Sequence, residues 1–520
     1  MAASIHPEAS TRVRRRFTVI TAELSPNRYS ERTFLALETY CANTTPRRVA
    51  AVLLLTPLPG LIASALPAIV PLQDPTFGFR SSHNILVHAF LFISIVSFGS
   101  ITLIMGATKV PTGVYSLREV GLVSLCGSTL TISFVSIPCV YWRFPIPFLV
   151  LFAAPFWMFS LVVAHVLVLR RKMWEHDIIR MSIKRYFVPL NVQTLQLITY
   201  AGFTVLFERV GPTLQLVLIA LFPVVKYAFK RILRYVTKAL HDMSAEVAIS
   251  TVEICGSLYQ ALILQSSPSV WAIVVLLLLD FVQGIISIKY FMDKKSAVPR
   301  HRLVQTAHSL IRLQRNSGQP HQQAWTDLVL VLPAKSTEKS SRLMKTTIIR
   351  QALEFCYQAE IMLLIEYYEV AIPVVNVLFV LLTYRSTSTR YNTKLASFYN
   401  NHEAVVASIQ PVALYSFLQG LSLVVMHFVM RYRYGVSALY HLAFALERHG
   451  RSIQGKMIAF LPLIFYFTLV HYGADFSLKF DYTALMKRAE LDGRTDELSD
   501  LPAGKQMPVV LIKHLKRCVS

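Results

Sequence analysis

Residues 244–291 read SAEVAISTVEICGSLYQALILQS from Ser244 to Ser266 and PSVWAIVVLLLLDFVQGIISIKYF from Pro268 to Phe291. In the first stretch Glu246, Ser250, Glu253, Ser257 and Gln260 alternate at spacings of four and three. On a helix that rhythm draws a narrow polar seam along an otherwise apolar rod. The second stretch is rich in Ile, Val and Leu, yet it carries Asp280 near its middle, with Gln283 and Ser287 on the same face. Two antiparallel helices joined at Ser267 place Glu253 and Asp280 at similar depth, ~20 Å from the turn. A carboxylate at that depth in hydrocarbon faces a bundle interior or a wet path and marks a functional site by default; the alternative is that Glu253 and Asp280 are each protonated or hydrogen-bonded to Gln283, Gln260, Ser257 or Tyr259 and only fix helix register.

The remainder of the chain argues for a bilayer. Of 520 residues, 54% are hydrophobic and only 16% charged, and the mean hydropathy is +0.48. Soluble domains of this size do not show that balance. Apolar windows long enough to cross about 30 Å of hydrocarbon recur near 50–70, 85–106, 120–142, 147–169, 187–207, 212–225, 244–266, 268–291, 361–384, 404–430 and 455–472. The expected fold is therefore an all-α, polytopic transmembrane bundle of about eleven spans, within a range of ten to twelve.

Basic residues orient it. With the amino terminus inside, the expected cytoplasmic regions as far as residue 350 hold 33 Lys plus Arg and the opposite loops 3. That is the bias of the positive-inside rule. Beyond residue 350 the bias fades, so the side of the carboxy terminus stays open. The organisation expected is a basic cytoplasmic tail over 1–49, an eight-span block over 50–291, a mobile basic linker over 292–350, a three-span block over 351–472 and a loosely ordered tail over 473–520.

A net charge of +23 could suggest nucleic acid. The excess, however, sits beside membrane segments, where it sets orientation and meets anionic head groups, so membrane lipids are the expected partners and nucleic acid is not. In 226–243, Lys226, Lys230, Arg234 and Lys238 recur every fourth residue beside the apolar Phe229, Ile232, Leu233, Val236 and Leu240. That pattern fits a basic amphipathic helix on an anionic lipid surface, or the solvated end of the preceding span.

The six cysteines have neither the even framework of a disulfide scaffold nor zinc-ligand spacing, and no metal or cofactor is implied. Pro57, Pro59, Pro67 and Pro71 around Gly60 predict a broken first span, either exposing backbone to a solute or simply kinked against neighbours. Ser124, Gly127, Ser128, Thr131 and Ser133 give the third span a small-residue packing face. His88, His165 and His427 could relay protons, but a lone histidine near a span end more often bonds a neighbouring helix. Glu366 and Glu369, beside Tyr367 and Tyr368, read as interfacial. Intramembrane protease strings and histidine-rich iron boxes are missing from the sequence. A membrane acyltransferase built on one histidine, with His427 as the candidate, is the one enzyme class left, and no catalytic residue is assigned.

The stretch Leu442–Tyr482 contains Gln454-Gly455-Lys456 and then Leu469-Val470-His471-Tyr472-Gly473-Ala474-Asp475-Phe476. It resembles the carboxy-terminal part of large uncharacterised multi-span membrane protein families of oomycetes, over less than a tenth of the chain. The resemblance brings no activity with it. Two functions fit the residues. One is a carrier or channel for a small solute or ion, with Glu246, Glu253, Asp280, Gln260 and Gln283 in an ion- or proton-binding core. The other is a non-transporting scaffold whose basic segments recruit lipid or a protein partner.

Overall fold

The computed structural model describes residues 29–80, 83–238, 240, 244–266, 298–316 and 338–474, with isolated positions between 274 and 285. Among them the chain is all α, without a strand. The helices are α1 (Glu31–Asn43), α2 (Pro46–Leu55), α3 (Leu58–Ala65), α4 (His83–Ala107), α5 (Leu117–Tyr141), α6 (Leu149–Glu175), α7 (Asp177–Arg209) and α8 (Pro212–Val236). They continue with α9 (Ser244–Ser266), α10 (Arg300–Asn316), α11 (Glu338–Thr383), α12 (Thr387–Arg390), α13 (His402–Tyr434), α14 (Ala438–Arg448) and α15 (Gly450–Phe467).

Seven stretches are long and apolar enough to cross a membrane among the described residues: Pro46–Ile69, Asn84–Ala107, Leu117–Tyr141, Leu149–Glu175, Ala245–Gln265, Met344–Thr383 and His402–Tyr434. The protein is membrane-embedded, and its outward residues agree: Leu54, Phe159, Leu214 and Phe417 are all more than half exposed, which suits hydrocarbon and not water. The windows expected at 187–207 and 212–225 fall within α7 and α8, and 455–467 of the window 455–472 within α15, helices outside that set of seven. The 268–291 window lies outside the described residues apart from a few positions.

Local chemistry sets the helix ends. The Ser116 hydroxyl accepts from the Glu119 N–H while the Glu119 carboxylate accepts from the Ser116 N–H, a capping box that opens α5. Gly435, at φ +70°, closes α13 in the left-handed conformation. The first span is broken as its prolines require, into α2, α3 and a 3-10 turn over Leu66–Ile69. Pro57 cannot donate to the carbonyl four residues earlier, and that carbonyl, Leu53 O, accepts instead from Tyr367 Oη at 2.8 Å. Tyr466 Oη donates likewise to Ser64 O at 2.8 Å. The break is thus closed by tyrosines of α11 and α15, which matches the kink reading of the sequence.

Two interfaces hold one side of the bundle. On α5, the buried Ser124, Gly127, Ser128 and Thr131 face α6, and a Cβ on Gly127 would sit 2.9 Å from Leu161 Cδ2. Across α4 and α15 the backbones themselves meet. A Cβ on Gly455 would lie 2.4 Å from Leu103 N, one on Gly99 2.5 Å from Ala459 N, and one on Gly106 2.6 Å from Ser452 N. Small residues allow such an approach where hydrophobic driving force between helices is weak.

Parts of the expected linker and of the amino-terminal tail form packed helices among the described residues. Helix α10 buries Leu303, Ala307, Leu310 and Ile311, and α1 packs beside it: Phe34 stacks on His308 at 4.0 Å between ring centroids, and Glu38 meets Arg312 at 2.8 Å. Helix α11 has 46 residues, roughly 70 Å by helical rise, far more than one crossing needs. Its first turns extend beyond the apolar belt and give α10 and α14 a platform. Within the expected linker, 300–316 buries a stripe at helical spacing, which gives α10 its apolar face.

Candidate functional site

Helix α9 occupies the middle of the bundle, with 94% of its apolar window buried. Surrounded on all sides, it cannot send a polar side chain to solvent, so every polar group on it must be answered by another helix. Along the seam Glu246, Ser250 and Glu253 are answered in turn. Glu246 accepts from Lys456 Nζ at 2.6 Å and Ser452 Oγ at 3.1 Å, both on α15. Ser250 Oγ pairs with Tyr368 Oη of α11 at 2.9 Å. Glu253, with no exposed surface, is held by Lys226 Nζ at 2.6 Å and by Lys230 Nζ, both on α8. Lys226 is shared, since its ammonium also lies 3.6 Å from Glu369 Oε1 of α11. Two acids and two bases from three helices therefore form one buried, formally neutral centre.

Gly256 makes that centre possible. The Lys226 stem lies across it, so that a Cβ there would sit 3.1 Å from Cε and 3.2 Å from Cδ. Helix α8 is correspondingly inside out: Leu214, Val217, Leu221 and Val224 are exposed, while Lys226 is 7% exposed and points inward. This corrects the reading of Lys226 and Lys230 as a lipid-binding surface. The four-residue period is real, but Glu253 draws both ammonium groups into the core. Arg234 is half-buried, and of the four only Lys238 is exposed, with its ammonium over the Tyr235 ring at 4.7 Å.

The expected partner of Glu253, Asp280, lies outside the described residues, as does Gln283. Gln260 is buried at the far end of the seam. Glu369 and Lys456 carry the site and were missed as site residues. Glu369 was read as interfacial because a span starting near 361 puts it at the mouth, whereas α11 begins at Glu338 and carries it inside. Beside the centre, Ser257 Oγ is buried without a hydrogen-bond partner among the described residues, and the Tyr200 hydroxyl is buried with the Gln196 amide beside it. Tyr200 stacks edge-on against Tyr259 of α9 at 5.6 Å and Phe229 of α8 at 5.8 Å, which places these polar groups next to the ion pairs.

A second charged cluster lies where α11, α14 and α15 meet. The Glu360 carboxylate accepts from His449 Nε2 at 2.9 Å, with Arg448 Nη1 at 3.7 Å and His441 Nε2 at 4.0 Å. His441 is fully buried on α14, and burial holds its imidazole down to about 4 despite the neighbouring carboxylate. A histidine depressed in the fold favours folding fully above its ordinary value, and that contribution is lost as pH falls toward about 4. The expected result is a stability that drops by up to about 1.4 kcal/mol per pH unit below pH 6.5, read as a falling unfolding temperature. His441→Gln removes this share of the slope and leaves that of the buried His471, likewise held down to about 4 by burial.

The opposite half of the bundle holds a cavity of about 150 Å³ between α4, α5, α6, α7, α9 and α15. Val96, Val135, Ala154, Leu197, Tyr259 and Phe460 are among its walls.

The histidines singled out earlier are structural in geometry. His88 Nδ1 meets Tyr472 Oη at 2.8 Å and His165 Nδ1 the Leu161 carbonyl of its own helix at 2.7 Å. His427 is half-buried beside Phe428. No protein-family model matches the chain, and no curated protein and no solved structure matches it.

Proposed function

We propose that the protein is an ion-coupled membrane carrier whose moving charge contact is Lys226, exchanged between Glu253 and Glu369. The observation that supports this is a lysine shared by carboxylates of two different helices inside an apolar bundle. Buried ion pairs seldom add net stability over apolar packing, and ionisable groups at membrane depth mark ion and solute paths. A shared lysine offers two near-equivalent arrangements of α8, α9 and α11. Protonating one carboxylate releases the lysine to the other, so the coupled ion is the proton. Ser257, with the buried Gln196 and Tyr200 beside it, would supply hydrogen bonds to a polar solute beside the switch. With the amino terminus on the cytoplasmic side, the Glu246–Lys456 pair and the Glu360 cluster lie toward that face and the centre lies deeper.

The scaffold reading keeps less support, because two of the four side chains it assigned to lipid are engaged with Glu253. The oomycete-type resemblance stays with this proposal as kinship without an activity.

The test is proton movement in vesicles loaded with a pH-sensitive dye. Under an imposed potassium diffusion potential with valinomycin, vesicles carrying the native protein should acidify or alkalise faster than empty ones. Glu369→Gln leaves both lysines on Glu253, so the protein should elute unchanged on gel filtration while flux falls about tenfold. Native protein that moves no protons above the empty-vesicle rate would overturn the proposal.

A further inference from the structure

The cavity has no part in the charge-exchange centre, and its residues lie in one half of the molecule. Its lining runs from Ile85 to Ser100 on α4, Thr131 to Cys139 on α5, Leu149 to Trp157 on α6 and Ala459 to Phe467 on α15. On each of these helices that is the half leading to the turn over 143–148. Glu246 and Lys456 belong to the other half. Fifteen residues on α4 correspond to ~22 Å of rise, enough to cover the ~15 Å hydrocarbon depth of one leaflet.

The walls are apolar almost throughout, so water would find too few partners to stay. The flanks say what lies outside. Phe152 and Phe156 on α6, and Leu195 and Ile198 on α7, are exposed beside the lining positions Ala154 and Leu197. At that height these exposed apolar residues border hydrocarbon. A slim apolar chain is what is abundant there and what the walls accept.

We propose that this cavity, whose volume of about 150 Å³ suits a benzene-sized apolar group, is a binding site for the end of one acyl chain of a membrane phospholipid, taken in between α6 and α7. The site is independent of the carrier reading: a chain held here would brace α4, α5 and α15 whether or not anything is transported.

The experiment uses full-length protein in phosphatidylcholine vesicles containing a trace of phosphatidylcholine with a photoactivatable group in one chain, with peptide mapping after illumination. Label is expected on Val96 and Phe460, which are 7% and 3% exposed and so beyond the reach of annular lipid. Ala154→Phe or Ala89→Phe, which fill the cavity from two different helices, should cut that label at least fivefold while label on the lipid-facing Phe156 persists. Native protein labelled on Phe156 but not on Val96 or Phe460 would overturn the proposal. A parallel arm with a photoactivatable free fatty acid separates the sources: label on Val96 from the free acid alone would overturn the phospholipid assignment.

Discussion

Gly455→Leu is expected to prevent the bundle from assembling. The site has no room to relax: a Cβ alone would come within 2.4 Å of Leu103 N and 2.9 Å of Gly99 O, both backbone atoms of α4. A flexible side chain could swing away, but here an entire helix has to move. Overpacking costs 1–3 kcal/mol when side chains can adjust, so at least about 3 kcal/mol is expected where they cannot. The measurement is monodisperse yield after detergent extraction, and a variant that elutes and melts like the native protein would contradict the packing. The damage should reach the site, because Lys456, which answers Glu246, is the next residue on α15.

Glu253→Ala should be nearly as costly, for an electrostatic reason. It takes from Lys230 the carboxylate that holds it and leaves Lys226 only the more distant Glu369 at 3.6 Å, and stranding the partner of a buried ion pair costs about 3–5 kcal/mol. The discriminating experiment removes the whole centre: Glu253→Leu, Lys226→Met, Lys230→Met and Glu369→Gln together strand no charge. That quadruple variant should recover most of the stability, measured as the unfolding temperature in detergent, while proton flux stays at the empty-vesicle level. Recovery of flux along with stability would show that the charges serve only the fold.

The seam on α9 was legible because its polar residues keep a strict four-three rhythm in an apolar window, and a helix surrounded on all sides must answer such a stripe. What answers it was not legible. A lysine every fourth residue is written the same way for a helix lying on a lipid surface and for one turned inward, and only the placement of Glu253 decides between them. Glu369 was hidden by a boundary: the acidic and basic residues between 338 and 360 argue against a span, yet they continue the same helix. The cavity has no sequence signature, since it arises where six helices fail to meet. The broken first span was legible from its prolines; that Tyr367 and Tyr466 close the break could not be read from residues more than 300 positions away.

The inverted polarity of α8 has a consequence for biogenesis. Offered alone to the insertion machinery, this helix would bring Lys226 and Lys230 into lipid, at about 2.5–3.5 kcal/mol for each charge near the centre. Glu253 follows in the very next helix. Insertion of α8 and α9 as a pre-neutralised hairpin avoids that barrier, so in a nascent chain released after α8 that helix should stay open to protease although the earlier spans are integrated, whereas in a chain extended through α9 it should be protected.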